Sequence, residues 1–413
     1  MKIINIAESV NLHLIQTEKF KTTTICILIR RPLLREEVTY NALITNVIRK
    51  GSKRHNSLSK LNAVLENMYG AIFDTQVVKM GEEQIIQLYI EILNKDIDEG
   101  LLDQALEFLR GIIFNPLLEG EGFKEEVVKI EKENLKNKIN GRINNKVEYV
   151  KSKCIEKACA GEAFSLYGDG YIEDLEQITA KNLYNHFKNI LKTSPIEFLV
   201  MGNEGEEVSE KIKELFSFGR EGVIQINKAK IVYDPKKVKE VTEKQHVNQG
   251  KLCMALRTGI DPTGQDFYSL LLLNEVLGAT ASSKLFMNVR ERESLCYSIS
   301  SFIYRFKGIL MIQAGVDSQN FDKTLELINK EIENMANGDI TEKEIGNAKK
   351  SITKNLESMK DYAASTINFY ISQYMLNDED DIESAVERVK KVTKEDIQNC
   401  AKKIYTDTIY LMS

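Results

Sequence analysis

The chain has 413 residues, 43% hydrophobic and 28% charged, with 56 basic and 61 acidic side chains giving a formal charge of −5. That length suits two domains of roughly 200 residues each, and the composition is ordinary for a globular protein. The absence of a basic stripe, and of strands with interleaved exposed aromatics, argues against nucleic-acid binding; no apolar run reaches the ~18 residues needed to span a bilayer.

Taken in order, Met1–Ser9 lacks the apolar core and small-residue cleavage site of a secretory signal. Residues 1–30 read as two strands, with Thr22–Arg30 rich in β-formers and Pro32 ending the run. Arg35–Lys50 reads as a helix closed by Gly51. Ser57–Gly70 reads as another, capped by Ser57 or Ser59, with Leu61, Ala63, Leu65 and Met68 on its apolar face. Ala71–Lys79 and Gln84–Leu93 look like paired strands, followed by an amphipathic helix over Asp96–Ile113 that Pro116 interrupts. Phe123–Lys153 reads as one long charged helix, acidic early and basic late, as the helix dipole favours. Gly168-Asp169-Gly170 lacks a P-loop lysine or a βαβ setting and is a plain turn.

Ile178–Leu191 is a capped helix, then come Pro195 and the strand Ile196–Met201; Val392–Tyr405 and the strand Thr408–Met412 repeat that unit at the end of the chain. Thr179 and Thr393 stand 393 − 179 = 214 residues apart, about half the chain. An internal repeat at that distance implies two halves of like fold. The expected class is α+β: two homologous halves, each a mostly antiparallel sheet with helices packed on one face. The first half spans 1–218, the second 246–413. The charged stretch 219–245, with Pro235 and the run from Lys236, is a linker flowing into the second half.

In the second half, Phe267–Leu277 is apolar enough for a helix buried on most sides, with Gly278 ending it. A small-residue loop, Ala279–Ser283, leads to a helix over Ser283–Glu293 capped by Ser282 or Ser283. Two strands, Cys296–Tyr304 and Gly308–Val316, follow. Arg290 and Tyr297 are seven apart, about two helical turns, a spacing that lets them point the same way. A guanidinium fork and a phenol suit gripping a peptide carbonyl or the oxyanion it becomes under attack. On spacing alone, the commoner reading is an exposed helix-end arginine and a half-buried strand tyrosine.

The wider string, Leu277 to Ser298, resembles the C-terminal-half signature of the insulinase/pitrilysin zinc peptidases, which include the mitochondrial processing peptidases. It carries the Leu-Gly, the small-residue loop with Ser-Ser and Leu-Phe, then Arg, six residues, and Tyr. The resemblance implies the two-half fold and gives Arg290 and Tyr297 catalytic roles as contacts to substrate held at the zinc of a facing half. It also implies substrate binding by the loop residues Gly278, Ser282 and Ser283.

Such a peptidase needs His-x-x-Glu-His, two imidazoles on one helix face with a glutamate as base for the metal-bound water. Counting back from Gly51, those slots hold Ala42, Thr45 and Asn46. The four histidines, His13, His55, His186 and His246, include no metal-binding pair, and each has a mundane account in strand, loop, helix or linker. Glu126, Glu131 and Glu133, near the family's third-ligand region, read as solvated helix charges. No metal or other cofactor is expected in this chain.

The resemblance implies a clamshell of four half-units, of which this chain holds two. The leading expectation is therefore a non-catalytic subunit, inactive alone, paired with a homologous insulinase-family subunit that carries His-x-x-Glu-His and the zinc. Its substrate would be a peptide or unfolded polypeptide. The alternative is a peptide-binding or scaffold protein that has left proteolysis. An autonomous zinc peptidase with displaced ligands is disfavoured by the scattered histidines. Six cysteines (Cys26, Cys154, Cys159, Cys253, Cys296, Cys400) spread along the chain argue against a disulfide framework and suit a cytoplasmic setting.

Overall fold

The computed structural model describes residues 1–234, 237–245 and 249–413. Pro235, Lys236 and His246, all read above as linker, lie outside the described residues. The chain forms two compact units. The first is Met1–Gly141 with Leu166–Asn227; the second is Arg142–Ser165 with Lys228–Ser413.

The first unit opens with three strands rather than the two expected: β1 (Lys2–Ala7), β2 (Val10–Gln16) and β3 (Thr22–Pro32). Ser9, at positive φ, turns β1 onto β2. The helices α1 (Val38–Ile48) and α2 (Leu58–Asn67) follow, then β4 (Ile72–Met80), β5 (Glu83–Leu93) and α3 (Leu101–Phe114). Ser57 caps α2 as expected, accepting from the Lys60 amide, but Ala63 is exposed and only Leu61 and Met68 are buried. A small hairpin, β6 (Leu118–Glu119) and β7 (Gly122–Phe123), precedes α4 (Glu125–Asn140). The long helix expected over Phe123–Lys153 is broken. Gly141 starts a single tight turn, and Asn145 caps a new helix, α5 (Lys146–Ala158), by accepting from the Glu148 amide. The break is where the first compact unit gives way to the second. The first unit resumes with α6 (Ile172–Leu175), α7 (Ala180–Thr193), β8 (Ile196–Gly202) and α8 (Glu207–Leu215).

The second unit carries β9 (Lys239–Glu243), a strand inside the stretch read as linker, then β10 (Gly250–Arg257) and α9 (Gln265–Asn274). Two wide π-type turns cover Glu275–Ala279 and Leu285–Arg292, and β11 (Cys296–Tyr304) and β12 (Ile309–Val316) form a hairpin. The helices α10 (Phe321–Ala336), α11 (Glu342–Met359), α12 (Ala363–Leu376), α13 (Ile382–Lys391) and α14 (Lys394–Lys403) lead to β13 (Tyr405–Met412).

The sheets show the duplication. The first runs β1-β2-β8-β3-β5-β4, with β2 parallel to β8 and the rest antiparallel; the second runs β9-β13-β10-β12-β11, with β9 parallel to β13 and the rest antiparallel. Strand for strand the order is the same, with β1 added to the first. Each closing helix starts with the same reciprocal cap, Thr179 with Asn182 and Thr393 with Asp396.

Alternation along β3 sends Ile25, Ile27 and Ile29 into a core shared with α1, α3 and α7. In the second unit, Leu252, Met254 and Leu256 of β10 meet α9, α13 and α14 in the same manner. The opposite face of that second sheet is also covered. There α5 packs Val150, Cys154, Ile155 and Ala158 against Cys253, Ala255, Met311 and Tyr410. A buried charge cluster fastens the end of this segment. Arg257, 2% exposed, lies 2.5 Å from Glu162 and 3.3 Å from Asp407, while fully buried Lys307 lies 2.8 Å from Glu162. Burial alone would raise the Glu162 pKa, but the two cations hold it below the usual glutamate value.

Candidate functional site

Helix α9 is apolar on nearly all sides and buries Phe267, Tyr268, Leu270, Leu272 and Leu273. Gly278 does not end it. The chain widens into the π turn and passes through Gly278 to Ala279. Gly278 is needed for close packing instead: a Cβ there would sit 2.6 Å from Ser301 Oγ and 3.0 Å from a Leu285 methyl. Ser301 in turn donates to the Asn274 amide oxygen at 2.7 Å, tying β11 to the end of α9.

The loop that follows is held by its own hydroxyls. Ser283 donates both its amide and its hydroxyl to the Thr280 carbonyl, at 3.1 and 2.6 Å, so it does not cap the next helix. Exposed Ser282 meets Thr280 Oγ1 at 3.2 Å and is no cap either. The second wide turn begins at Leu285 with no side-chain cap. Turns of this width are rare and concentrate at functional sites.

Arg290 stacks its guanidinium on the Phe286 ring, 4.4 Å from the centroid, with Glu291 at 3.7 Å; the side chain is 38% exposed. The helical path stops at Arg292, and Ser294 at positive φ turns the chain into β11. Arg290 and Tyr297 are therefore not two turns apart on one helix. Cys296 pairs with Val316 and Ser298 with Gly315, so Tyr297 is the extra residue of a β-bulge. The bulge turns its ring outward: Tyr297 is 63% exposed rather than half-buried, and its hydroxyl donates to Asp317 at 3.2 Å. That carboxylate raises the Tyr297 pKa above the ordinary phenol value. Among the described residues no hydrogen bond joins Arg290 to Tyr297. Val289 and Leu295, bonded backbone to backbone, fix the turn between them. What the arrangement offers is an exposed planar donor fork and an exposed phenol, able to meet the carbonyls and amides of an extended chain. Asp317 escaped the sequence reading because nothing in its spacing signals contact with Tyr297.

The metal-site positions are filled by other chemistry. Ala42 and Thr45 are buried, and the Thr45 hydroxyl donates to the Ala42 carbonyl at 2.8 Å. Thr75 on β4 donates to the Thr45 carbonyl at 2.7 Å. One residue earlier, Asn41 donates to Gln84 at 2.8 Å and meets His186 Nε2 at 2.8 Å; burial lowers the His186 pKa to about 4. Glu131 is not a solvated helix charge. It is buried, 3.0 Å from the Lys50 ammonium, and accepts from Asn134 at 3.0 Å. Methyl, hydroxyl and amide groups at 42, 45 and 46, with the nearby carboxylate held by lysine, do not fit zinc. Among the described residues, no group of three or more His, Cys, Asp or Glu side chains could hold a metal ion. His13 is buried 2.9 Å from Glu197, and His55 stacks on Phe108.

Residues 177–352 match the model described as Peptidase M16 inactive domain. The chain is 33% identical over 407 residues to the probable inactive metalloprotease YmfF of Bacillus subtilis, covering 97% of this chain and 95% of that one. A crystal structure of a conserved protein from Enterococcus faecalis V583 superposes with a TM-score of 0.92 at 29% identity, over 100% of this chain and 98% of that chain. The periplasmic protease PqqL of Escherichia coli matches at TM-score 0.74 and 15% identity, and there the whole of this chain covers 46% of that chain. The likeness to YmfF is close enough over nearly full length to assign descent. The chain belongs to the insulinase/pitrilysin, or M16, family of zinc peptidases, among the members that lack the His-x-x-Glu-His motif.

Proposed function

We propose that this protein is the non-catalytic subunit of a two-chain peptidase. A homologous partner carries His-x-x-Glu-His and its zinc, and this chain contributes Arg290 and Tyr297 to the grip on the polypeptide. The reading rests on one contrast: the metal-site positions have no zinc ligands, while the guanidinium and phenol of the family signature remain exposed. The span of PqqL supports it, since a single chain there holds about twice the length present here. The loop Gly278–Ser283 lies beside these two residues in sequence and offers small side chains, past which an extended peptide backbone can run close.

In this reading Arg290 donates to a substrate carbonyl or to the oxyanion formed from it, and Tyr297 holds the neighbouring backbone. A cytoplasmic setting suits the six cysteines, all buried and none in a disulfide among the described residues. Co-expression with a homologous chain bearing His-x-x-Glu-His, followed by a peptide-cleavage assay, tests the reading. Arg290→Ala and Tyr297→Phe complexes that cleave as well as the unaltered one would reject it. A pure scaffold has one observation in its favour, that Arg290 and Tyr297 already have intramolecular partners in Phe286, Glu291 and Asp317.

A further inference from the structure

A cleft of about 510 Å³ opens beside the candidate substrate-binding loop, between the first wide turn and α11. Its walls include Val276, Met287 and Ala348, which are apolar, and Glu275, Ser282 and Asn347, which are polar. Ser282 belongs to both the loop and the cleft. An extended chain running past Gly278–Ser283 therefore has a recess at hand with room for a long side chain.

The charge of the recess follows from its carboxylates. Glu344 on α11 is neutralised, paired with Lys284 at 3.0 Å and engaged in the cap of its own helix through Thr341. Glu275 is half-buried at the start of the π turn, its backbone N–H held by the Leu271 carbonyl, and its carboxylate has no ion-pair or hydrogen-bond partner among the described residues. The recess thus carries one uncompensated negative charge at the edge of an apolar wall. That combination fits a side chain with a hydrocarbon stem and a cationic end.

We propose that this cleft is a specificity pocket for a lysine or arginine of the bound polypeptide, with Glu275 taking the cationic end while Val276, Met287 and Ala348 hold the stem. The inference rests on the proposed substrate-binding role and narrows it to polypeptides carrying a basic residue.

The test uses the full chain and two labelled unstructured peptides that differ only in one lysine replaced by norleucine, followed by fluorescence anisotropy. The lysine peptide is expected to bind about tenfold tighter, as a charge-assisted hydrogen bond at a half-buried site provides. Glu275→Gln, which keeps the shape, is expected to remove that difference; Glu275→Lys is expected to reverse it. Equal binding of the two peptides by the unaltered chain, or a preference that survives Glu275→Gln, overturns the pocket while leaving the substrate-binding reading in place. No binding of either peptide, alone or with the partner chain present, overturns both.

Discussion

The Tyr297 hydroxyl donates its single proton to Asp317 across the β11–β12 hairpin, at 3.2 Å. A phenol has only one proton to give. While that bond stands, Tyr297 can only accept, which suits a peptide N–H; to serve an oxyanion it must leave Asp317. The carboxylate also keeps the phenol protonated to higher pH than usual. Asp317→Asn is therefore expected to bring the Tyr297 pKa down toward the ordinary value, read by NMR titration of a ring-labelled tyrosine. An unchanged pKa would mean that the contact does not persist in solution.

Glu162 joins Arg257 and Lys307, two cations with almost no exposure to solvent. Glu162→Ala leaves both without their shared carboxylate, and the expected loss is roughly 3–5 kcal/mol by chemical denaturation. The pH dependence has a definite sign. Folding lowers the Glu162 pKa, so its stabilisation is fully present above the unfolded-state value and drains away as pH falls through the folded one. The Glu162→Ala protein should show a shallower acid limb.

His186 gives the same sign by a different route. Its folded pKa, about 4, lies below the ordinary imidazole value of 6.5, so between those limits the unfolded chain binds the extra proton. Stability then rises with pH across that window, by at most about 3 kcal/mol for a shift of this size. His186→Gln, which can still bond Asn41, should flatten the rise. An identical pH profile in the variant would show that His186 is not the responsible group.

Gly278→Ala should destabilise the second unit by about 1–3 kcal/mol, the usual cost of overpacking, because the new methyl would meet Ser301. Ser301→Gly by itself also costs stability, because it removes the bond to Asn274, but the two changes together should cost less than the sum of their separate effects. Simple additivity would place the strain elsewhere.

The sequence made some levels of this organisation legible and hid others. Thr179 and Thr393 announced the duplication because reciprocal caps are local, and a local signal survives without knowledge of tertiary packing. The break at Gly141 went unread because the charge gradient over Phe123–Lys153 ran through it, although Gly141 and the asparagine pair Asn144 and Asn145 marked the place. Glu131 looked solvated because a helix pattern does not reveal that Lys50 waits opposite. The positions of Arg290 and Tyr297 came from a family string, not from periodicity, and the helical spacing argued for them did not hold. Asp317 and Glu275 were invisible for one reason: each matters through neighbours that only the bulge and the wide turn create.

Zinc content and peptide hydrolysis, measured together on the chain alone and after reconstitution with a homologous His-x-x-Glu-His partner, bear most directly on the division of labour. The expected result is no stoichiometric zinc and no cleavage from the chain alone. The pair should cleave, and Arg290→Ala should lower kcat/KM by about 100-fold, as loss of an oxyanion donor does. Stoichiometric zinc with hydrolysis from the chain free of any partner would contradict it.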